Sequence, residues 1–489
     1  MTIKQILVAA SCAFLFSPGN ASIAGDTYGG GQSISKCPET PENKAAIKTW
    51  FPHSRTPEPN SIKFNDDTIC NFHIWSWQMF LWLTRNDKSG QPRFLAFETP
   101  YSVLGIENRE VLLPTLHKGT HTESFDEYLQ AGPDGILVDH NGNPVYYSQY
   151  LNDTFVSFIK DNDLTTPKTV QNFPATTSFP PGAIEIKASW RIVEKGDDVS
   201  KVFTRKSSVY ALKNSKGKIV VNKDVKRNVT LALVGFHIGG IVENHPEMVW
   251  ATFEPRTNAP NVKPGTLPST AVSSKGHVFY TANTRYASCN VPSGVTLNAA
   301  TQKLSPVTQV CRQYKFGNAK NDFNTRGLRN QYAEDDTLNT KILKNITKND
   351  DNVKELNAIV RKNLKDVFVN YREVGAIWFA SGVSGGNPLK PGMYLTTDVG
   401  QYTDGKVKQV LIGSLKLSNS TIETFTQLAS AQENCLRCHN TVGVTNPKGE
   451  ANGIVGLKAM NLNISHAFIN MYFWSQEMEN LKKALSAAK

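Results

Sequence analysis

Ala183-Ile184-Glu185-Ile186-Lys187-Ala188-Ser189-Trp190-Arg191-Ile192-Val193 alternates apolar and polar residues for most of its length. Successive side chains of an extended chain point to opposite faces, so the pattern predicts a half-buried strand. Residues 202–212 and 218–221 continue in the same manner, and 228–241 reads as a longer buried strand through Leu231-Ala232-Leu233-Val234-Gly235-Phe236-His237-Ile238. Met248-Val249-Trp250-Ala251-Thr252-Phe253 follows. Strands in succession without intervening helices predict an antiparallel sheet, as a sandwich or an open barrel. Residues 255–310 are rich in Pro, Thr, Ser and Asn and read as long surface loops.

Helical patterns flank this body. Residues 72–83 hold Trp75, Trp77 and Trp82 and fit a helix buried nearly all round, its tryptophans read as core. Residues 351–369 place apolar side chains at 353, 356, 359, 360, 364 and 367, close to a 3.6-residue repeat. Strands are expected at 374–379 and 407–417, and an amphipathic helix at 464–488. Residues 84–180 give only loops and short elements. The expected class is α+β: an antiparallel β-rich body, flanking helices and a C-terminal helical segment. The regions are a leader (1–24), a mixed N-terminal part (25–180), the β-rich part (181–320) and an α+β part (321–489).

The C-terminal part contains Cys435-Leu436-Arg437-Cys438-His439. C-x-x-C-H is the attachment pattern of c-type haem, in which two thiols add to the vinyl groups and the imidazole becomes the proximal iron ligand. With 7 cysteines and 10 histidines in 489 residues, its chance occurrence is about 0.2%. A thioredoxin-like CxxC belongs in a βαβ setting, which these residues lack. Upstream, Ser420-Thr421-Ile422-Glu423 has capping-box spacing, and Ile422, Phe425, Leu428 and Ala429 follow at helical intervals, predicting a helix that enters the motif. One covalent haem c is expected on Cys435, Cys438 and His439.

The N-terminus agrees with this. A short positive start ending at Lys4, an apolar run from Ile6 to Phe16 and small residues at Ala21 and Ala24 form a secretory signal peptide. The run is shorter than the ~20 residues a bilayer requires, and no later stretch is long and apolar enough to span one. The expected location is the periplasm, where disulfides persist. Cys12 leaves with the leader, so Cys37, Cys70, Cys289 and Cys311 remain for disulfides. Four cysteines allow three connectivities; pairing Cys37 with Cys70 and Cys289 with Cys311 closes the shorter loops and is favoured. The formal charge is +11, from 53 Lys and Arg against 42 Asp and Glu, and the basic residues read as dispersed. Nucleic acid is not an expected partner of an exported chain. An acidic redox partner or anionic lipid suits this charge, and plain solubility is the simpler reading.

Three stretches carry a family resemblance: Val234-Gly235-Phe236-His237-Ile238 with Val249-Trp250-Ala251-Thr252-Phe253-Glu254; Tyr371-Arg372-Glu373-Val374-Gly375-Ala376-Ile377-Trp378; and Leu417-Ser418-Asn419-Ser420-Thr421-Ile422-Glu423-Thr424-Phe425. Together they resemble exported bacterial cytochrome c-like proteins with a large N-terminal body and a single C-terminal haem motif. Pro255 departs from the pattern, since relatives carry histidine there. The resemblance implies haem and export and assigns no substrate.

The distal iron ligand has two near candidates, Met460 and His466. Asn463 and Ser465 precede His466 as caps of the last helix, and a helix N-terminus disfavours imidazolium, keeping that ring in the neutral form iron needs. The body offers His73, His237 and His245 as further candidates, and an open position is the remaining one. A filled sixth position predicts a periplasmic monohaem electron-transfer protein. An open one predicts a haem enzyme acting on peroxide, oxygen or a nitrogen oxide, or a haem-based sensor.

Overall fold

In the computed structural model the described residues are 37–65, 68–106, 111–114, 135–263, 265–313, 336–379, 389–393, 411–413, 417–427, 435–445 and 454–487. The leader and most of the 407–417 strand lie outside them.

The alternating stretch is a strand, and it lies inside a large sheet. In chain order the strands are β1 (Val111–Pro114), β2 (Tyr146–Leu151), β3 (Ile184–Ile192), β4 (Thr204–Ser215), β5 (Lys218–Val242), β6 (His245–Pro255), β7 (Thr296–Asn298), β8 (Lys303–Ser305), β9 (Tyr371–Phe379) and β10 (Leu411–Gly413). Eight of them form one sheet in the order β10-β9-β6-β5-β3-β2-β1-β4, and β7 and β8 form a separate hairpin. The two expected strands at 218–221 and 228–241 are one continuous strand, β5. Its first half pairs with β4 and its second half with β3 and β6. Because β4 also pairs with β1, the sheet curls round into a half-barrel. This resolves the sandwich-or-barrel expectation in favour of a curled single sheet with flanking helices, an α+β arrangement. All pairings are antiparallel except β1 with β4.

Strand periodicity gives β5 two faces. Phe236, Ile238 and Val242 belong to a cluster with the tryptophan-rich helix Ile69–Thr84, which Thr68 caps by accepting from the Asn71 amide at 3.3 Å. Phe80 stacks on Phe253 with ring centroids 4.3 Å apart, and Phe72 stacks on Trp378 at 4.1 Å. The helix Asp336–Asn363 joins this cluster through Leu356 and Val360. The tryptophans are core, as read. His73 donates to or accepts from Glu373 at 2.7 Å within this same core, and His245 pairs with Glu247 at 2.9 Å next to Phe72. Both histidines are thereby committed on the helix-covered face. The opposite face is covered by C-terminal segments: a second cluster joins Trp250, Ile377 and Ile241 to Leu436, Met460, Leu462 and Phe468.

Cys37–Cys70 and Cys289–Cys311 are the disulfide pairs, with Cα atoms 5.6 and 5.5 Å apart. This is the favoured sequence-local connectivity. The elements missed in 84–180 are β2 and the helices Asp153–Asp161 and Pro167–Asn172.

Candidate haem site

The covered face of the sheet presents two cross-strand rows. Lys187 of β3, His237 of β5 and Thr252 of β6 form one; Glu185, Gly239 and Trp250 form the other. Both rows come from the polar positions of the alternating pattern. Those positions read as solvent-facing, but the chain from 417 onward lies over them.

Residues 417–427 are not the expected helix. They form a series of turns fastened to the sheet edge-on. Asn419 donates its side-chain amide to Thr252 Oγ1 and the Phe253 carbonyl, both at 2.9 Å. The Ser420 amide donates to Glu254 Oε2 at 2.8 Å, and the Thr421 and Ser189 hydroxyls lie 2.7 Å apart. Close approach makes Gly235 necessary, since a Cβ there would sit 2.3 Å from both hydroxyl oxygens. Glu423, expected as a capping residue, does accept from the Asn419 amide at 2.5 Å, but it does so within a turn. Its other oxygen, Oε1, makes an ion-pair contact with His237 Nε2. Polar residues of this kind would cap a helix elsewhere; here the sheet supplies partners that a helix would have to forgo.

The motif itself is one helical turn, Cys435–Cys438, closed by the His439 amide donating to the Cys435 carbonyl at 2.7 Å. Leu436 is fully buried, whereas Cys438 is exposed and Cys435 and His439 are half-buried. His439 Nδ1 lies 2.7 Å from the Ile464 carbonyl. A carbonyl only accepts, so Nδ1 carries the proton and Nε2 carries the lone pair. That is the tautomer and the orienting bond typical of a metal-ligating histidine. Trp250 and His466 lie on the two sides, each with its ring centroid 3.9 Å from that of His439. Burial, then the neighbouring His466, holds His439 well below the ordinary imidazole range. The ring is therefore neutral.

His466 opens the C-terminal helix His466–Ala487, whose Phe468 amide is capped by Ser465 Oγ at 3.1 Å. Its Nε2 donates to the Cys438 carbonyl at 2.9 Å, and burial pulls it down to about 4. The expected neutral form is thus present. Its ring is stacked on that of His439, tilted by 18°, and its Nε2 is spent on backbone. Met460 is fully buried in the second cluster. Of the body histidines, His237 alone lies on the face that the motif covers.

No protein-family model, curated protein or solved structure matches the chain.

The fit to haem therefore rests on the residues. Burial and then the Glu423 carboxylate push the Cys435 thiol well above its ordinary range. A dithiol built for exchange chemistry has the opposite property, a lowered thiol, so the arrangement disfavours a thioredoxin-like role. Two thiols outside the disulfides, a neutral imidazole with an available Nε2 and a flat indole wall meet on one half-exposed turn. That set suits a flat, doubly tethered cofactor.

Sequence reasoning passed over Glu185, Lys187, Trp250 and Glu423. One pattern was available: Gly235-x-His237-x-Gly239 puts small residues on both sides of a histidine on one strand face, which marks a face approached closely by another part of the chain.

Glu185 gives a prediction. It is buried, accepts from the Ser465 hydroxyl and the Ala467 amide, and is pushed by burial from 4.5 up to about 7. Between these values the folded chain holds a proton that the unfolded chain releases. This contribution is fully present below about pH 4.5 and falls as pH rises to about 7, by about 3 kcal/mol. Urea unfolding of the wild type and Glu185→Gln across this range should show the wild type losing stability relative to the variant as pH rises. Parallel curves would refute it.

Proposed function

We propose that the chain is a periplasmic monohaem c-type cytochrome of the exported cytochrome c-like type, transferring electrons through haem on Cys435, Cys438 and His439. The observation that carries this reading is the 2.7 Å bond from His439 Nδ1 to the Ile464 carbonyl, which leaves Nε2 available beside the two cysteines of the same turn, both outside the disulfides. Haem bound there supplies a one-electron couple at its iron. The chain's own contribution is to orient His439 between Trp250 and His466, to keep it neutral, and to leave the Cys438 edge exposed for an acidic redox partner. The two disulfides and the absence, among the described residues, of any helix long and apolar enough to cross a membrane agree with a periplasmic location.

A second reading, a haem enzyme acting on peroxide, oxygen or a nitrogen oxide, is favoured by one observation. The His237–Glu423 pair belongs to the same face as the motif, and its charges act on Cys435 and His439. An imidazole beside a carboxylate is the kind of pair that general acid–base chemistry uses. Optical spectra of the protein made with c-type haem maturation, ferric and ferrous, with and without carbon monoxide, separate the readings. A low-spin spectrum indifferent to carbon monoxide is expected, and a methionine-to-iron charge-transfer band would assign Met460. A high-spin spectrum with fast carbon monoxide binding would replace electron transfer by the second reading. Absence of covalent haem would end both.

A further inference from the structure

The charge of the chain is not dispersed as its sequence suggested. Between Arg205 and Arg227 there are eight Lys or Arg residues and one acid, Asp224, a formal +7 out of the chain's +11. These residues fall on one antiparallel hairpin, β4 with the first half of β5. Its turn is tight: Lys216 and Gly217 both have positive φ, 47° and 74°, and Ser215 pairs with Lys218. Two positive φ values match the twist of the flanking strands, so the hairpin is a defined ribbon.

One face of the ribbon is covered. Tyr210, Leu212 and Val221 form a cluster with Ile136, Val138, Leu297 and Leu304. Lys213 follows Leu212 and therefore lies on the other face, opposite Val220. Lys213, Lys216, Lys218 and Lys226 are exposed, and Val225, between Asp224 and Lys226, is 46% exposed.

We propose that this hairpin docks the protein peripherally on an anionic lipid surface. Three features favour lipid over an acidic protein. Protein interfaces are built round desolvated aromatic or arginine anchors and are depleted in lysine; the exposed positions around the turn, 213–218, are Lys, Asn, Ser and Gly, and Tyr210 is buried. A lysine-rich surface with an isolated exposed valine suits headgroups, to which each nearby Lys or Arg adds attraction without needing a specific geometry. Third, Lys218 and His237 are 19 residues apart on the same strand, about 63 Å of it at about 3.3 Å per residue. The hairpin tip therefore lies far along the strand from the row that the motif covers and is poorly placed to guide a redox partner to it. The inference is independent of haem.

The test is cosedimentation of the full mature chain with phosphatidylglycerol/phosphatidylethanolamine vesicles and with phosphatidylcholine vesicles, at low and high salt. Binding is expected to the anionic vesicles alone and only at low salt. Lys213→Glu/Lys216→Glu/Lys218→Glu should weaken it by well over 100-fold, and the corresponding alanine variant about 100-fold. Reversal of three exposed lysines elsewhere, Lys44→Glu/Lys48→Glu/Lys63→Glu, carries the same change in net charge and should cost less than about threefold. Equal losses in the two triple variants would reduce the effect to net charge and overturn the proposal. So would no binding of the wild type to anionic vesicles, or binding only to an acidic protein. Unchanged urea midpoints establish that the variants remain folded.

Discussion

Cys435→Ala/Cys438→Ala is expected to abolish covalent haem in a chain produced with c-type maturation. Intact mass should show the wild type heavier than its apoprotein by one haem, each single variant still tethered through the remaining thiol, and the double variant at its apoprotein mass. The substitutions spare the scaffold. Leu436, the residue of the turn that packs into the core, is untouched, and the cysteines are exposed or half-buried. Their stability cost should stay within about 1 kcal/mol. His439→Ala complements the pair: it keeps both tethers, so the covalent mass should persist while the absorption spectrum changes through loss of the proximal imidazole. A double variant that still carries haem, or a wild type that carries none, would refute the assignment.

The second large effect is on stability. Glu254→Ala is expected to cost about 3–5 kcal/mol, because it removes one partner from a buried charge network. Glu254 is fully enclosed, with Arg312 at 2.7 Å and Arg372 at 3.2 Å on Oε1, and with the Ser420 amide at 2.8 Å on Oε2. Burial acts to raise its carboxyl, but the two guanidinium groups and Ser420 outweigh it and hold the group below the usual range. It is ionised at neutral pH, and its contribution disappears only as pH falls through that lowered value. Removing it strands two buried guanidinium groups and also releases Ser420, so the 419–424 turns should loosen and take Glu423 away from His237. Urea unfolding measures the first effect and amide exchange in 419–424 the second. A loss under about 1 kcal/mol with unchanged exchange would show that the network is dispensable.

The β-rich body was legible because strand patterns depend only on neighbouring residues: 184–192 alternates plainly, and 248–253 is a short, nearly continuous apolar run. The half-barrel was not, since whether β4 returns to β1 and β5 is decided by pairings between distant residues. The three residues proposed to bind haem stand out in the sequence for the opposite reason: the attachment chemistry fixes a spacing within five positions. Their surroundings were hidden. Ser465 and Glu185 are 280 positions apart, as His237 and Glu423 are far apart, and no local pattern links them. Over 420–427, the described part of the expected helix, the chain forms turns instead. Its capping-box residues are real hydrogen-bonding groups, but Glu254, Thr252 and Ser189 offered partners that kept the backbone in turns.

The sequence-local disulfides have a consequence in time. Cys37–Cys70 spans 33 positions and Cys289–Cys311 spans 22, and both pairs precede Cys435 in the chain. A chain that crosses a membrane from its N-terminus delivers those four thiols first, and short loops close quickly. By the time Cys435 and Cys438 arrive, every other cysteine of the mature chain can already be oxidised. If the chain is exported and binds haem as proposed, the last two thiols then have no stray partner but each other, and the order of emergence itself keeps them from mispairing.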